Sequence, residues 1–186
     1  MASDYWDEKD NSWVRTGQNL NGNLAALNQY KLCDDELFAK NVSLRNIDMN
    51  AIPDDINNFD FCWSSCAVEH LGNLELGKSF FENHLKVLKP GGIAVHTIEF
   101  NNSSNVDTIE EGDTVVFRKR DIEEIEKRLK KLGCEINCQF ESGENEGDLF
   151  VDQPPYYLIN PKYHLHLNID GYDCTSYGLV IKKSTR

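Results

Sequence analysis

Positive charge is scarce in this sequence. Nineteen Lys and Arg residues stand against 31 Asp and Glu, a formal net charge of −12. So few cations leave little with which to displace the counterions of a phosphate backbone, which argues against nucleic acid as a partner. A solubility role accounts for the acidic excess. Long apolar runs are missing too. No stretch reaches the ~18 residues of a membrane span, and the opening MASDYWDEKD has no apolar core of the kind a secretion signal carries. The chain therefore reads as cytoplasmic and without a membrane partner, a setting in which its six cysteines are reduced thiols. Cys62 and Cys66, like Cys134 and Cys138, are four apart, without the two-residue gap of zinc knuckles. No metal site is read from them. A glycine-rich, phosphate-cradling loop behind an apolar strand is also lacking, since neither Gly17 nor Gly22 follows such a strand.

What is present centres on Phe59 to Val95. An apolar run from Phe59 to Trp63, with Asp60 near its head, suits a strand buried on both faces. Ser64, Ser65 and Cys66 follow, then Glu69, His70, Leu71 and Gly72. Leu74, Phe81, Leu85 and Leu88 lie seven, four and three apart, on one helix face. Lys89-Pro90-Gly91-Gly92 is expected to stop that helix, and Ile93 to Phe100 to form the next strand. His84 reads as a boundary residue of the helix. In such a strand–helix–strand unit, ligands sit at the carboxyl ends of the strands.

Around this unit the pattern continues as α/β. Leu20, Leu24 and Leu27 predict a helix within Asn19–Lys31, and Asp34-Asp35-Glu36 opens a second, shorter one. Val42 to Ile47 is β-rich and ends at Asp48-Met49. Asn101 to Asp113 is a loop. Arg118-Lys119-Arg120 reads as a solvated helix entrance, with an anionic substrate as the rival reading. Asp121 and Glu124 give a capping-box-like start to a helix carrying Ile122, Ile125, Leu129 and Leu132, which Gly133 ends. Cys134, Ile136, Cys138 and Phe140 alternate as a strand. His164 and His166 share a face if their segment is extended, and a polar cross-strand face explains them without a metal. Tyr177 to Ile181 is the closing strand. With 186 residues, 40% of them hydrophobic, the chain reads as one domain, 1–186.

The strand FDFCWSSCAVEHLG, the turn LKPGG and the upstream IDMNAIP together resemble the later part of a class I S-adenosylmethionine-dependent methyltransferase domain, over roughly Asp4 to Lys183. The resemblance implies an α/β, Rossmann-like methyltransferase sheet with helices on both faces. It also implies a sheet incomplete at the N-terminal side, because the family's first strand and glycine-rich loop have no counterpart. The neighbours of that strand would be left with unpaired edges. The third strand could then close directly onto the fourth, another chain could fill the gap, or the sequence could be a piece of a longer one. The resemblance implies S-adenosylmethionine as cofactor. It puts Asp4 at the end of the second strand, Asp48 and Met49 around the adenine, and Ser64, Ser65 and Cys66 beside the methionine portion. For Asp4 a solvated terminus is the competing reading, and for Asp48 a turn cap. Glu69 and His70 are the candidate catalytic pair, His70 as general base, with a helix-entry pair as the alternative. TGQNLNGNLAALNQ with SSCAVEHLG is similar to bacterial methyltransferase-like proteins associated with surface polysaccharides, which implies methyl transfer to a small-molecule or sugar-like acceptor. The alternative is an inactive relative serving as an interaction or oligomerisation module.

Overall fold

The computed structural model describes residues 1–6, 19–141, 143–160 and 162–185. Gly17 lies outside the described residues. The chain divides into two compact units, Met1–Pro53 and Asp54–Arg186.

In the first unit, β1 (Ala2–Asp4) and β2 (Leu44–Asn46) pair in parallel, Ala2 opposite Leu44 and Asp4 opposite Asn46. The helix expected over Asn19–Lys31 shrinks to a 3-10 turn, Leu24–Asn28. Its start is prevented by Asn21 and Gly22, both at positive φ (44° and 76°), so the chain turns where Leu20 would have joined the helix. Asn28 is buried there, its amide donating to the Cys33 carbonyl and accepting from the Cys33 N–H. Helix α1 (Asp35–Asn41) begins as its acids predict, with the Asp34 carboxylate accepting from the Glu36 and Leu37 amides.

The second unit is built on six strands. These are β3 (Phe59–Ser65), β4 (Leu88–Asn101), β5 (Glu135–Ile136), β6 (Val151–Asp152), β7 (His166–Ile169) and β8 (Tyr172–Lys182). Their order is β3-β4-β8-β7-β6, with β5 also on β8. β3 and β4 are parallel, and β8 runs antiparallel to β4. Among the described residues β2 pairs with β1 and β3 with β4, and the two sheets are distinct.

Helix α2 (Leu74–Asn83) continues as a 3-10 turn, His84–Val87. Leu88 is already extended, opposite Phe59. Lys89 to Gly92 does not cap a helix. It is an irregularity within β4, after which Phe61 pairs with Ile93. Gly92 is tightly enclosed: a Cβ there would stand 3.0 Å from the Lys89 carbonyl oxygen and 3.2 Å from that of Asp60. Helix α3 (Lys119–Lys131) starts earlier than expected. Arg118 is its N-cap, and Asp121 is the third residue, its carboxylate accepting from the Arg118 N–H at 3.0 Å. Arg118 is buried rather than solvated, holding Asp121 and Glu110 at 2.7 Å each, and Lys78 of α2 adds a 2.8 Å bond to Asp121. This network ties α2 to α3. The strand expected over Cys134–Phe140 is regular only at Glu135–Ile136. Helix α4 (Glu146–Leu149) is a single turn.

One side of the sheet is core: Ala94, His96, Ile98, Phe100, Leu179 and Ile181 are buried. The opposite alternation is not. Phe61 is 53% exposed and Trp63 69%, with Ile93 and Val180 exposed beside them. β3 is thus not buried on both faces, and among the described residues it is paired along one edge only.

Candidate functional site

The carboxyl ends of β3 and β4 bring reactive groups together. β3 stops at Cys66, whose φ of 44° bends the chain out of the sheet into a 3-10 turn, Val68–His70. The Cys66 amide is held by the Thr97 carbonyl at 3.2 Å and the Thr97 hydroxyl at 3.0 Å. Its thiol lies 3.5 Å from both the Thr97 and Ser176 hydroxyls. The turn drives Glu69 inward, to 1% exposure, and the Val115 amide fixes it by donating to the Glu69 carbonyl.

There Glu69 meets Glu99 of β4. The Cys66 sulfur and one oxygen of each carboxylate lie within 4.8 Å of one another. Neither carboxylate oxygen of Glu69 has a hydrogen-bond partner, nor does one oxygen of Glu99. Burial pushes the Glu69 carboxyl up to about 7, with the neighbouring Glu99 charge adding to the rise. Burial raises Glu99 as well, against the opposing pull of His70 and His164. Unsatisfied buried carboxyls of this kind mark functional sites.

His70 is exposed at the mouth. Its Nδ1 donates to the Asp113 carbonyl at 2.7 Å, which makes Nε2 its basic nitrogen. Ser65 is exposed, its hydroxyl accepting from Thr97 at 3.4 Å. Ser64 points to the other face, 2.7 Å from His96 Nδ1. His164 and His166 do not share a strand face. His164 precedes β7 and bonds Asp152 at 2.9 Å, while His166 bonds Asp173 at 2.8 Å.

The first unit holds the other three candidates. Asp4 is no solvated terminus: its carboxylate accepts from the Leu20 amide at 2.7 Å and the Tyr5 amide at 2.9 Å. Asp48 caps the 3-10 turn Met49–Ala51 by accepting from the Asn50 amide at 2.8 Å, and Met49 is half-buried.

Sequence reasoning brought Cys66, Glu69 and His70 to one place. It missed Glu99, which lies two residues before the end of β4 on the alternation opposite the core-facing Ile98 and Phe100, so the strand pattern gave no signal for it. Thr97 and Ser176 carried no signal without the strand register.

An open mixed sheet whose parallel pair β3–β4 gathers titratable groups at its carboxyl ends fits a Rossmann-like α/β protein. The family described as a methyltransferase domain matches residues 10–96. Residues 10–96 thus resemble a methyltransferase domain, and the fold over 82% of the chain resembles that of a Rossmann-like α/β structure. The structure of the [4+2]-cyclase SpnF is similar, with a TM-score of 0.51 and 14% identity over 82% of this chain, which spans 59% of the cyclase's length. TehB from Haemophilus influenzae is 20% identical at a TM-score of 0.45, over 87% of this chain and 46% of its own. An S-adenosylmethionine-dependent methyltransferase from Clostridium acetobutylicum ATCC 824 is 12% identical at 0.45, over 86% and 72%. No curated protein matches the chain. Among the described residues no helix is long and apolar enough to cross a membrane.

Proposed function

We propose that this protein transfers a methyl group from S-adenosylmethionine to a hydroxyl of a small-molecule or sugar-like acceptor. The observation that carries the reading is the buried Glu69 carboxyl beside Glu99 and the Cys66 thiol. When bound, the cofactor supplies an electrophilic methyl on a positively charged sulfur. Two carboxylates drawn together out of solvent, with the Cys66 thiol as their nearest side-chain donor, are the charge complement of such a cation. Glu69 holds the proton lost by the acceptor hydroxyl as its oxygen becomes nucleophilic, and a carboxyl poised near neutrality both takes and releases that proton readily. His70, oriented by Asp113, serves the same proton at the exposed mouth. Positioning does most of the rest. Ser65 and Cys66 are the residues of the second unit, and Asp4, Asp48 and Met49 those of the first, that this reading assigns to the cofactor; Ser64, which faces His96, is not among them. The reading treats the chain as one methyltransferase-like domain, in line with a family match that crosses the boundary at Pro53. It places the protein in the cytoplasm, where six free thiols persist.

A second reading has its own observation. The exposed Phe61, Trp63, Ile93 and Val180 suit an inactive relative that self-associates through this face. Calorimetric titration with S-adenosylhomocysteine separates the two. Saturable one-to-one heat supports methyl transfer. Absence of heat, together with a dimer in sedimentation that Trp63→Ser dissociates, supports the module.

A further inference from the structure

Behind the sheet, away from the carboxylates, lies a second cluster. Cys62 of β3, His84 of the turn after α2 and His96 of β4 place one ligand atom each within 4.8 Å of the others. Both histidines are 2% exposed. They are walled by Phe80 and Phe81, whose rings lie 5.2 Å from His84 and 5.5 Å from His96, respectively.

We propose that Cys62, His84 and His96 form a buried zinc(II) site. The two imidazoles face each other through Nε2, 3.3 Å apart. Two nitrogens on ~2.05 Å bonds at the tetrahedral angle of a zinc ion stand about 3.3 Å apart. Each histidine is also held at its far nitrogen, as metal ligands are. His84 Nδ1 donates to the Phe81 carbonyl at 2.9 Å, and His96 Nδ1 meets the Ser64 hydroxyl at 2.7 Å. Thiolate and imidazole are the donors zinc prefers, and three protein ligands leave one position to water.

The protons balance. Because a carbonyl only accepts, His84 carries its proton on Nδ1 and presents a lone pair at Nε2. Without metal, His96 donates from Nε2 to His84, and Ser64 donates to His96 Nδ1. With zinc, the His96 proton moves to Nδ1 and is donated to Ser64, so both Nε2 lone pairs turn to the ion. The only proton released to solvent is that of the Cys62 thiol, one per zinc. Burial already keeps both rings neutral, at about 4 for His84 and about 3 for His96.

The test uses the full chain, stripped with chelator and titrated with cobalt(II) as the spectroscopic stand-in for zinc. The expected result is a thiolate-to-cobalt charge-transfer band that saturates at one equivalent, is bleached by zinc, and is lost in Cys62→Ser and His96→Gln. It should persist in Glu69→Gln, which separates this cluster from Cys66, Glu69 and Glu99. Should the variants fail to fold, thiol alkylation of the unaltered chain reads the same point. Zinc should protect Cys62 at least tenfold while exposed Cys33 reacts as before. No band from the folded chain, a band surviving Cys62→Ser, or an unprotected Cys62 would overturn the proposal.

Discussion

Two buried clusters share the same pair of strands and solve burial in opposite ways. Cys62 with His84 and His96 sits mid-strand on the helix-covered face. Cys66 with Glu69 and Glu99 sits at the strand ends, one alternation out of phase. In the first, every imidazole nitrogen has a partner. In the second, three carboxylate oxygens have none. Each cluster moves toward its neutral form, the histidines downward and the carboxyls upward. A satisfied neutral cluster costs the fold little. An unsatisfied acidic one is a standing cost, and function is the reason to keep it.

The comparison can be broken at several points. The largest effect is expected at Glu69. Glu69→Gln should lower methyl transfer by roughly 10²–10⁴-fold, the usual worth of a general base, while binding of S-adenosylhomocysteine, whose sulfur is uncharged, is retained. Steady-state kinetics on any accepted acceptor checks it. Next is His96→Ala, which opens a cavity and strands both Ser64 and His84. It should cost about 2–4 kcal/mol in urea unfolding. If the loss is below ~1 kcal/mol, the histidine pair is not the structural half of the contrast.

The pH dependence should show opposite signs. The Glu69 carboxyl is raised from 4.5 to about 7, so the stability it permits is full below about 4.5 and is lost as pH rises through about 7. His84 and His96 are lowered from 6.5, so their contribution is full above that value and is lost as pH falls toward about 4. Glu69→Gln should therefore stabilise the protein at pH ~8 by on the order of 1–3 kcal/mol and flatten the neutral limb alone. Equal melting curves for both proteins at high pH would show that Glu69 pays no burial cost. The smallest change is Thr97→Val, which removes the hydroxyl beside the Cys66 amide and thiol. About 0.5–1.5 kcal/mol is expected by the same unfolding assay.

Much of the second unit was legible from spacing. The strands around Phe59 and Ile93, the helix after Asn73, the Ile122–Leu129 face and the final strand all carry strong periodicity, and packing preserves it. Local chemistry was less legible. The Leu20–Leu27 spacing lost to an Asn-Gly turn, and Lys89 to Gly92 proved extended rather than helix-ending. Arg118 looked solvated because Glu110, and the Lys78 that shares its partner Asp121, are brought near by the fold rather than by spacing. His84 read as a boundary for the same reason: its burial depends on His96 and the Phe80 ring. The candidate site showed its nearest-neighbour half, Cys66-Glu69-His70. The other half, Glu99 with Thr97 and Ser176, depends on sheet register.

The irregularity at Lys89 to Gly92 is a slip in register. Between the paired positions Phe59–Leu88 and Phe61–Ile93, β3 advances two residues and β4 five. The slip is absorbed within this stretch, because Leu88 before it and Ala94, His96 and Ile98 beyond it are all buried on one alternation. A β4 one residue shorter beyond the slip, with the irregularity itself keeping its form, would slide by one position, bringing Thr97 into the place of His96 and Glu99 into that of Ile98. Both clusters would dissolve together, although none of their residues had been altered.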